Sequence, residues 1–262
     1  MSEELYIHIK DIMAKPVTIA KSAPITDALD KMLDENIDPL IVTDNGTVVG
    51  TISRQAIAET IGKKRNATIP PTKIHVANTV EGEFTAAYPD QGIEILPTLL
   101  QHAKIVVVFD EDHKLIGQVS YGDLLKVVQP SKQVKEILEP ASTINVEERV
   151  VHLRRRMMDE DIARFLVTDE NGAPIGIVTE TDVARAMVAF REVVEGKYQD
   201  HRIRNLLVRD IMSAPLISVN ASMPVGKVID TMLAKKISSL PITDGNGHIA
   251  GIVTRTSLIQ AL

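Results

Sequence analysis

The chain has 262 residues, 44% of them hydrophobic and 24% charged, a globular composition that excludes a disordered tail or a fibre. Lys plus Arg is 29 against 35 Asp plus Glu, and the net charge of −6 argues against a dedicated duplex-DNA binder. Cysteine is absent, which removes disulfides, Cys-ligated metal centres and thiol catalysis. No apolar run reaches the roughly 18 residues of a membrane span, and the opening residues carry charges through any signal core, so a cytoplasmic protein away from membranes is expected.

In chain order, the first β-type patch is Val17 Thr18 Ile19. Helical periodicity follows at Ile25, Ala28, Leu29, Met32 and Leu33, with Ser22 at the expected N-cap and Pro24 behind it. Residues 41–44 and 50–53 then read as a hairpin-like strand pair that leads into a second helix.

The same order returns three more times. Phe84 Thr85 Ala86 precedes the strand pair 107–110 and 117–120, and Ser142 Thr143 Ile144 precedes 166–169 and 176–179, after which a helix is expected from 181 to 188. Ile217 Ser218 Val219 opens the last copy. Its helix series is Val225, Val228, Ile229, Met232 and Leu233 behind Ser222 and Pro224, and its strands are 241–244 and 251–254. The spacing from turn aspartate to glycine is six, seven, seven and seven, so a single unit recurs with one deletion in the first copy. Four β-α-β-β-α units of about 60 residues leave only the intervals around 62–71 and 191–205, too short for a catalytic domain.

This order, closed by Gly-h-h-Ser/Thr-x-x-Asp (h, hydrophobic), resembles the CBS domain, named after cystathionine β-synthase. In that family two motifs pack through their sheets into a module whose cleft can bind adenosine-containing ligands. The resemblance covers nearly the whole chain. It implies an α+β fold of tandem CBS pairs, with small sheets packed face to face and flanking helices. Residues 1–130 would form one pair, with motifs at about 8–62 and 72–129, and 131–262 the other, with motifs at about 132–190 and 206–262. The polar, proline-containing Gln129 Pro130 Ser131 Lys132 is the natural boundary.

The third copy, Gly176 Ile177 Val178 Thr179 Glu180 Thr181 Asp182, contains the chemistry a nucleotide needs. A carboxylate accepts hydrogen bonds from both ribose hydroxyls, a threonine hydroxyl meets a phosphate or ribose oxygen, and free N–H groups at a helix start favour an anion. The resemblance places Thr179 on the phosphate side and Asp182 on the ribose side. It also sets Arg164, whose planar fork suits phosphate, against that group, with the purine near Thr143, Ile144, Ile162 and Ala163. In the second copy the matching set is Thr85, Ser120 and Asp123, with Lys104 as the cation because Ile105 occupies the place of Arg164. Ala56 and Ser257 replace the carboxylate in the first and fourth copies, so one competent and one impaired site per pair is expected. From the residues alone, Thr-x-x-Asp is equally a helix cap, and Arg164 equally a surface partner for Glu160 or Asp161.

The basic runs Arg154 Arg155 Arg156 and Lys63 Lys64 Arg65 read as solvated faces or seam contacts, with RNA contact as the alternative. Arg154 aligns with the core positions Leu29 and Ile229, which suits a side chain reaching along a seam. The seven histidines show no metal-ligand spacing, and nucleophile elbows and phosphate loops are absent. The expectation is therefore a non-enzymatic regulatory protein with no required cofactor. It would sense AMP, ADP, ATP or an S-adenosylmethionine-like ligand, with Mg accompanying ATP, and signal to a protein or ribonucleoprotein partner; a homodimer is compatible with this. The alternative is a ligand-independent scaffold that docks on an enzyme, transporter or ribonucleoprotein.

Overall fold

The structure, a computed structural model, describes residues 6–63, 66, 68–193 and 205–262. After a short helix α1 (Ile9–Ile12), the first repeat runs β1 (Thr18–Ala20), α2 (Ile25–Asp34), β2 (Leu40–Asp44), β3 (Thr47–Ile52) and α3 (Arg54–Gly62). The second is β4 (Thr85–Ala87), α4 (Leu96–His102), β5 (Ile105–Phe109), β6 (Leu115–Ser120) and α5 (Tyr121–Leu125). The third is β7 (Thr143–Asn145), α6 (Val150–Asp159), β8 (Arg164–Thr168), β9 (Pro174–Thr179) and α7 (Glu180–Val193). The fourth is β10 (Val219–Asn220), α8 (Val225–Ala234), β11 (Ser239–Thr243), β12 (Ile249–Thr254) and α9 (Arg255–Gln260).

Each repeat forms a three-stranded sheet whose first strand is parallel to the second and whose second is antiparallel to the third. A parallel pair needs a long crossover, and α2 supplies it in the first repeat by burying Ile25, Ala28, Leu29 and Met32 on its sheet-facing stripe. Pro24 and Pro224, rather than Ser22 and Ser222, take the N-cap positions of α2 and α8. Their φ of −61° and −58° leaves an extended residue before the first turn, and no side chain caps either helix. Turn chemistry explains the recurring aspartates: Asp169 Oδ1 accepts the backbone N–H groups of Asn171 and Ala173 at 2.9 and 2.8 Å. Asp110 and Asp244 do the same in their own turns. In the shortened first copy Asn45 and Gly46 turn the chain at φ 50° and 86°, the left-handed pair that a two-residue hairpin requires.

The repeats meet in two directions. Backbone bridges Ala14↔Gln118 and Thr51↔Glu81 tie the first repeat to the second, and Ile177↔Ser213 and Glu139↔Ile252 tie the third to the fourth. In these crossings the lead-in segment of one repeat lies against the signature glycine of its neighbour. A Cβ on Gly176 would stand 2.7 Å from the Ser213 carbonyl oxygen, and one on Gly251 2.7 Å from that of Glu139, so only glycine fits. On β2 and β5, Ile41, Ile105 and Val107 form a small buried cluster between the sheets of repeats one and two.

The two larger cores join non-adjacent repeats instead. Ile57 and Ile61 of α3 share a core with Val183 and Met187 of α7, and Leu100 and Leu124 of the second repeat share one with Leu258 and Ile259 of α9. Each fully buried side chain of this size contributes about 1.5–3 kcal/mol, so apolar burial crosses the 130/131 boundary. Arg154 reaches this seam, its Nη2 3.4 Å from the Ala58 carbonyl of α3. Its neighbours in the basic run are taken up locally. Arg155 pairs with Asp159, while Arg156 pairs with Glu160 and stacks 4.6 Å over the Phe165 ring. Lys64 and Arg65 of the other run, and most of the 191–205 interval, lie outside the described residues. Among the described residues no helix is long and apolar enough to cross a membrane.

Candidate functional site

All four signature turns are helix caps, and they differ in what the cap leaves over. In repeat three the Thr179 N–H and hydroxyl both donate to Asp182 Oδ2, at 2.8 and 2.7 Å. Among the described residues Oδ1 accepts from the Ser213 hydroxyl alone, at 3.4 Å. In repeat two Ser120 caps through Asp123 Oδ2 in the same way, at 3.0 and 2.6 Å, but Oδ1 accepts from Lys126 at 3.3 Å. In repeat four Ser257 and Thr254 close on each other, fully buried, and in repeat one Ser53 accepts from the Ala56 N–H. A capping box therefore does not exclude ligand binding: one carboxylate oxygen caps while the other faces outward.

Asp182 opens onto a cavity of about 400 Å³ at the meeting point of the four repeats, inside the range of about 300–1,000 Å³ usual for small-molecule sites. Two sets of equivalent positions converge there. Asp38, Lys104, Ala163 and Ser238 each lie six residues before a turn aspartate, and Arg54, Tyr121, Glu180 and Arg255 each follow the signature Ser or Thr; all eight line the cavity. Pro215, Ile217 and Pro241 of the fourth repeat, with Ile177 of the third, supply apolar side chains to the lining of the same cavity as Asp182.

The charges in this space are fixed by contacts between repeats. The Lys104 ammonium lies 3.7 Å from Asp38 and 3.8 Å from Glu180, so one lysine joins carboxylates of repeats one and three. Arg54 donates to the Thr181 hydroxyl at 3.0 Å and to the Met32 carbonyl at 2.7 Å, while its own N–H binds Asp38 at 3.0 Å. Burial lowers the pKa of Arg164, and that of Arg255, where Arg54 and Arg164 add repulsion. Burial also raises Glu180, against the pull of Lys104. For Lys104 burial acts downward, but Asp38 and Glu180 outweigh it and the net shift is upward. Among the described residues the Nε atoms of Arg54 and Arg255 are the buried side-chain polar atoms without a hydrogen-bond partner. Such orphaned donors are uncommon in folded proteins.

Of the residues expected at the sites, Lys104, Ala163, Arg164, Thr179 and Asp182 share this one cavity. Arg164 does not pair with Glu160, which Arg156 occupies. Ile144 is 4% exposed within the core and Ile162 packs against that core, and neither lines the cavity, whose apolar lining includes Ile177, Pro215, Ile217 and Pro241. Thr143 offers its carbonyl to Arg156 at 2.9 Å. Thr85, Ser120 and Asp123 do not line the cavity. Sequence reasoning passed over Arg54, Glu180, Arg255 and Asp38. Their signal was present in the repeat register, since each stands at a position whose three equivalents also meet at the centre.

Comparison with known proteins gives a consistent result. The family model described as CBS domain matches residues 9–63, 84–130, 134–189 and 208–262. Protein MJ1404 of Methanocaldococcus jannaschii is 24% identical across 96% of this chain, and MK0525 of Methanopyrus kandleri 35% identical across 43%. The chain spans 61% and 53% of these two relatives' own lengths. The crystal structure of protein MJ1225 from Methanocaldococcus jannaschii superposes with a TM-score of 0.81 at 21% identity, covering 97% of this chain and 99% of that one.

Proposed function

The chain belongs to the CBS domain family, and from that premise we propose that it is a non-catalytic regulatory protein that binds an adenine nucleotide or related adenosyl ligand in the central cavity and passes its presence to a partner. The observation that carries this is the arrangement around Asp182. The Asp182 carboxylate, the Arg164 guanidinium and the apolar side chains of Ile177, Pro215 and Pro241 line one cavity, and Asp182 Oδ1 is left over from the helix cap. The carboxylate suits the ribose hydroxyls, the apolar side chains suit a purine face, and Arg164 suits phosphate.

Such a ligand bridges repeats three and four, in a cavity that repeats one and two also line. It therefore stabilises whichever arrangement of the repeats presents Asp182, Arg164 and the apolar side chains at the right separation. Only a difference in affinity between two arrangements shifts their populations, and a tenfold difference is worth about 1.4 kcal/mol. A partner that contacts more than one repeat reads that shift.

The test is calorimetry of the full chain with AMP, ADP, ATP, S-adenosylmethionine and adenosine, each without and with Mg. Binding of at least one of these, weakened in Arg164→Ala for phosphorylated ligands while adenosine is spared, is the expected result. Absence of heat and of thermal stabilisation with every compound would remove ligand sensing and leave the ligand-independent scaffold.

A further inference from the structure

Glu180 breaks the pattern of its equivalents. At the position after the signature Ser or Thr, repeats one and four carry Arg54 and Arg255, repeat two carries Tyr121, and repeat three places a carboxylate in the same cavity. That carboxylate is held in place. The Glu180 N–H donates to the Ala163 carbonyl at 3.0 Å, its side chain is 17% exposed, and its Oε2 lies 3.8 Å from the Lys104 ammonium.

Five basic side chains line the cavity (Arg54, Lys104, Arg164, Lys236 and Arg255) against three acidic ones (Asp38, Glu180 and Asp182). The excess is two positive charges. Lys104 is shared between Asp38 and Glu180, which leaves Arg54, Arg164, Lys236 and Arg255, none of them in an ion pair among the described residues, with Asp182 as the remaining carboxylate; their surplus of positive charge faces an incoming anion. Resting on the ligand-binding role argued above, we propose that Glu180 sets the charge of the ligand this cavity accepts. It matches the cavity to a dianion, as on a nucleoside monophosphate, and turns away more highly charged polyphosphates. At short range in a partly desolvated space, each like-charge contact with a fixed carboxylate lowers affinity severalfold or more, whereas a neutral nucleoside is indifferent to it.

The experiment compares wild type, Glu180→Gln and Glu180→Asp by calorimetry at constant ionic strength with metal chelated, using adenosine, AMP and ATP, and separately inorganic phosphate and tripolyphosphate. Glu180→Gln should raise the affinity for ATP relative to AMP about tenfold, and for tripolyphosphate relative to phosphate by a similar factor. Adenosine should change less than about twofold, and Glu180→Asp should restore the wild-type preference. An unchanged ATP-to-AMP ratio in a folded Glu180→Gln protein that still binds adenosine overturns the proposal and leaves nucleotide sensing standing. If wild type binds none of the adenosyl compounds, nucleotide sensing fails. The proposal is then decided by the inorganic anions, and an equal response of wild type and Glu180→Gln to phosphate and tripolyphosphate ends it.

Discussion

The turns at Asp182 and Asp123 have the same local chemistry and different surroundings. Each aspartate caps its helix with one oxygen, at 2.7 and 2.6 Å from the signature hydroxyl. The second oxygen of Asp182 faces Ser213 and the central cavity, whereas that of Asp123 is taken by Lys126, whose side chain is 62% exposed. A motif thus specifies a cap, and the surroundings of each copy decide whether the second carboxylate oxygen is left open.

The strongest way to break this comparison is to remove the neighbours. We propose that residues 131–262 fold as a unit of two sheet-paired repeats. Expressed alone, that half keeps Asp182, Ile177, Pro215 and Pro241 but lacks Arg54, Asp38 and Lys104, and it uncovers Val183 and Met187 of α7. The expected outcome is a folded, self-associating species by analytical ultracentrifugation whose nucleotide affinity is lower by about a hundredfold, since Arg54 and Lys104, which hold Thr181 and Glu180 next to Asp182, go at once. Full affinity in the isolated half would show that repeats one and two are irrelevant to the site.

Within the full chain, Asp182→Ala should weaken nucleotide binding tenfold or more. Hydrogen bonds to a charged group contribute about 1.5–3 kcal/mol each, and two are lost. Asp123→Ala should cost less than about threefold and Ser257→Ala nothing measurable, although the latter leaves the buried Thr254 N–H without its hydroxyl acceptor, at about 1 kcal/mol of stability. Equal losses for Asp182→Ala and Asp123→Ala in calorimetry would erase the distinction between the two turns.

Gly176→Ala sharpens the comparison from the apolar side. Its methyl group would meet the Ser213 carbonyl at 2.7 Å and displace the segment that carries Pro215 and Ile217. A loss of about 1–3 kcal/mol in chemical denaturation is expected, with nucleotide affinity falling severalfold in parallel. The matching change at Gly46, where a Cβ meets nothing within 4 Å, tests backbone strain alone because its φ is 86°.

The smallest effect concerns pH. Burial raises the folded-state pKa of Glu180, with Asp38 and Asp161 acting in the same direction and Lys104 and Arg164 opposing. Between the unfolded carboxylate value of about 4.3 and the raised folded value, the native chain binds more protons than the unfolded chain. Glu180 therefore costs stability progressively as pH rises through that window. Thermal melts of Glu180→Gln against wild type should show a smaller penalty on the alkaline side of the window, and parallel curves would contradict the assignment.

The sequence by itself determined the four units, their strand and helix order, and the caps, because each depends on contacts within a few residues. The periodicity at Ile25, Ala28, Leu29 and Met32 predicts a buried stripe, and that stripe is buried. The aspartate-to-glycine spacing predicts the turns, and Asp110, Asp169 and Asp244 bind the turn backbone. Local reasoning went astray at Ser22 and Ser222, where a proline already sets the extended residue before the helix. Tertiary structure alone decided that repeat one packs through α3 on repeat three, and that Asp38, Arg54, Lys104, Glu180 and Arg255 meet in one space. These residues lie in all four repeats, far apart in sequence, and their charges acquire meaning only through distance and burial. A single lysine 3.7 and 3.8 Å from two carboxylates of different repeats is a consequence of how apolar helix faces find each other, which no spacing along the chain encodes.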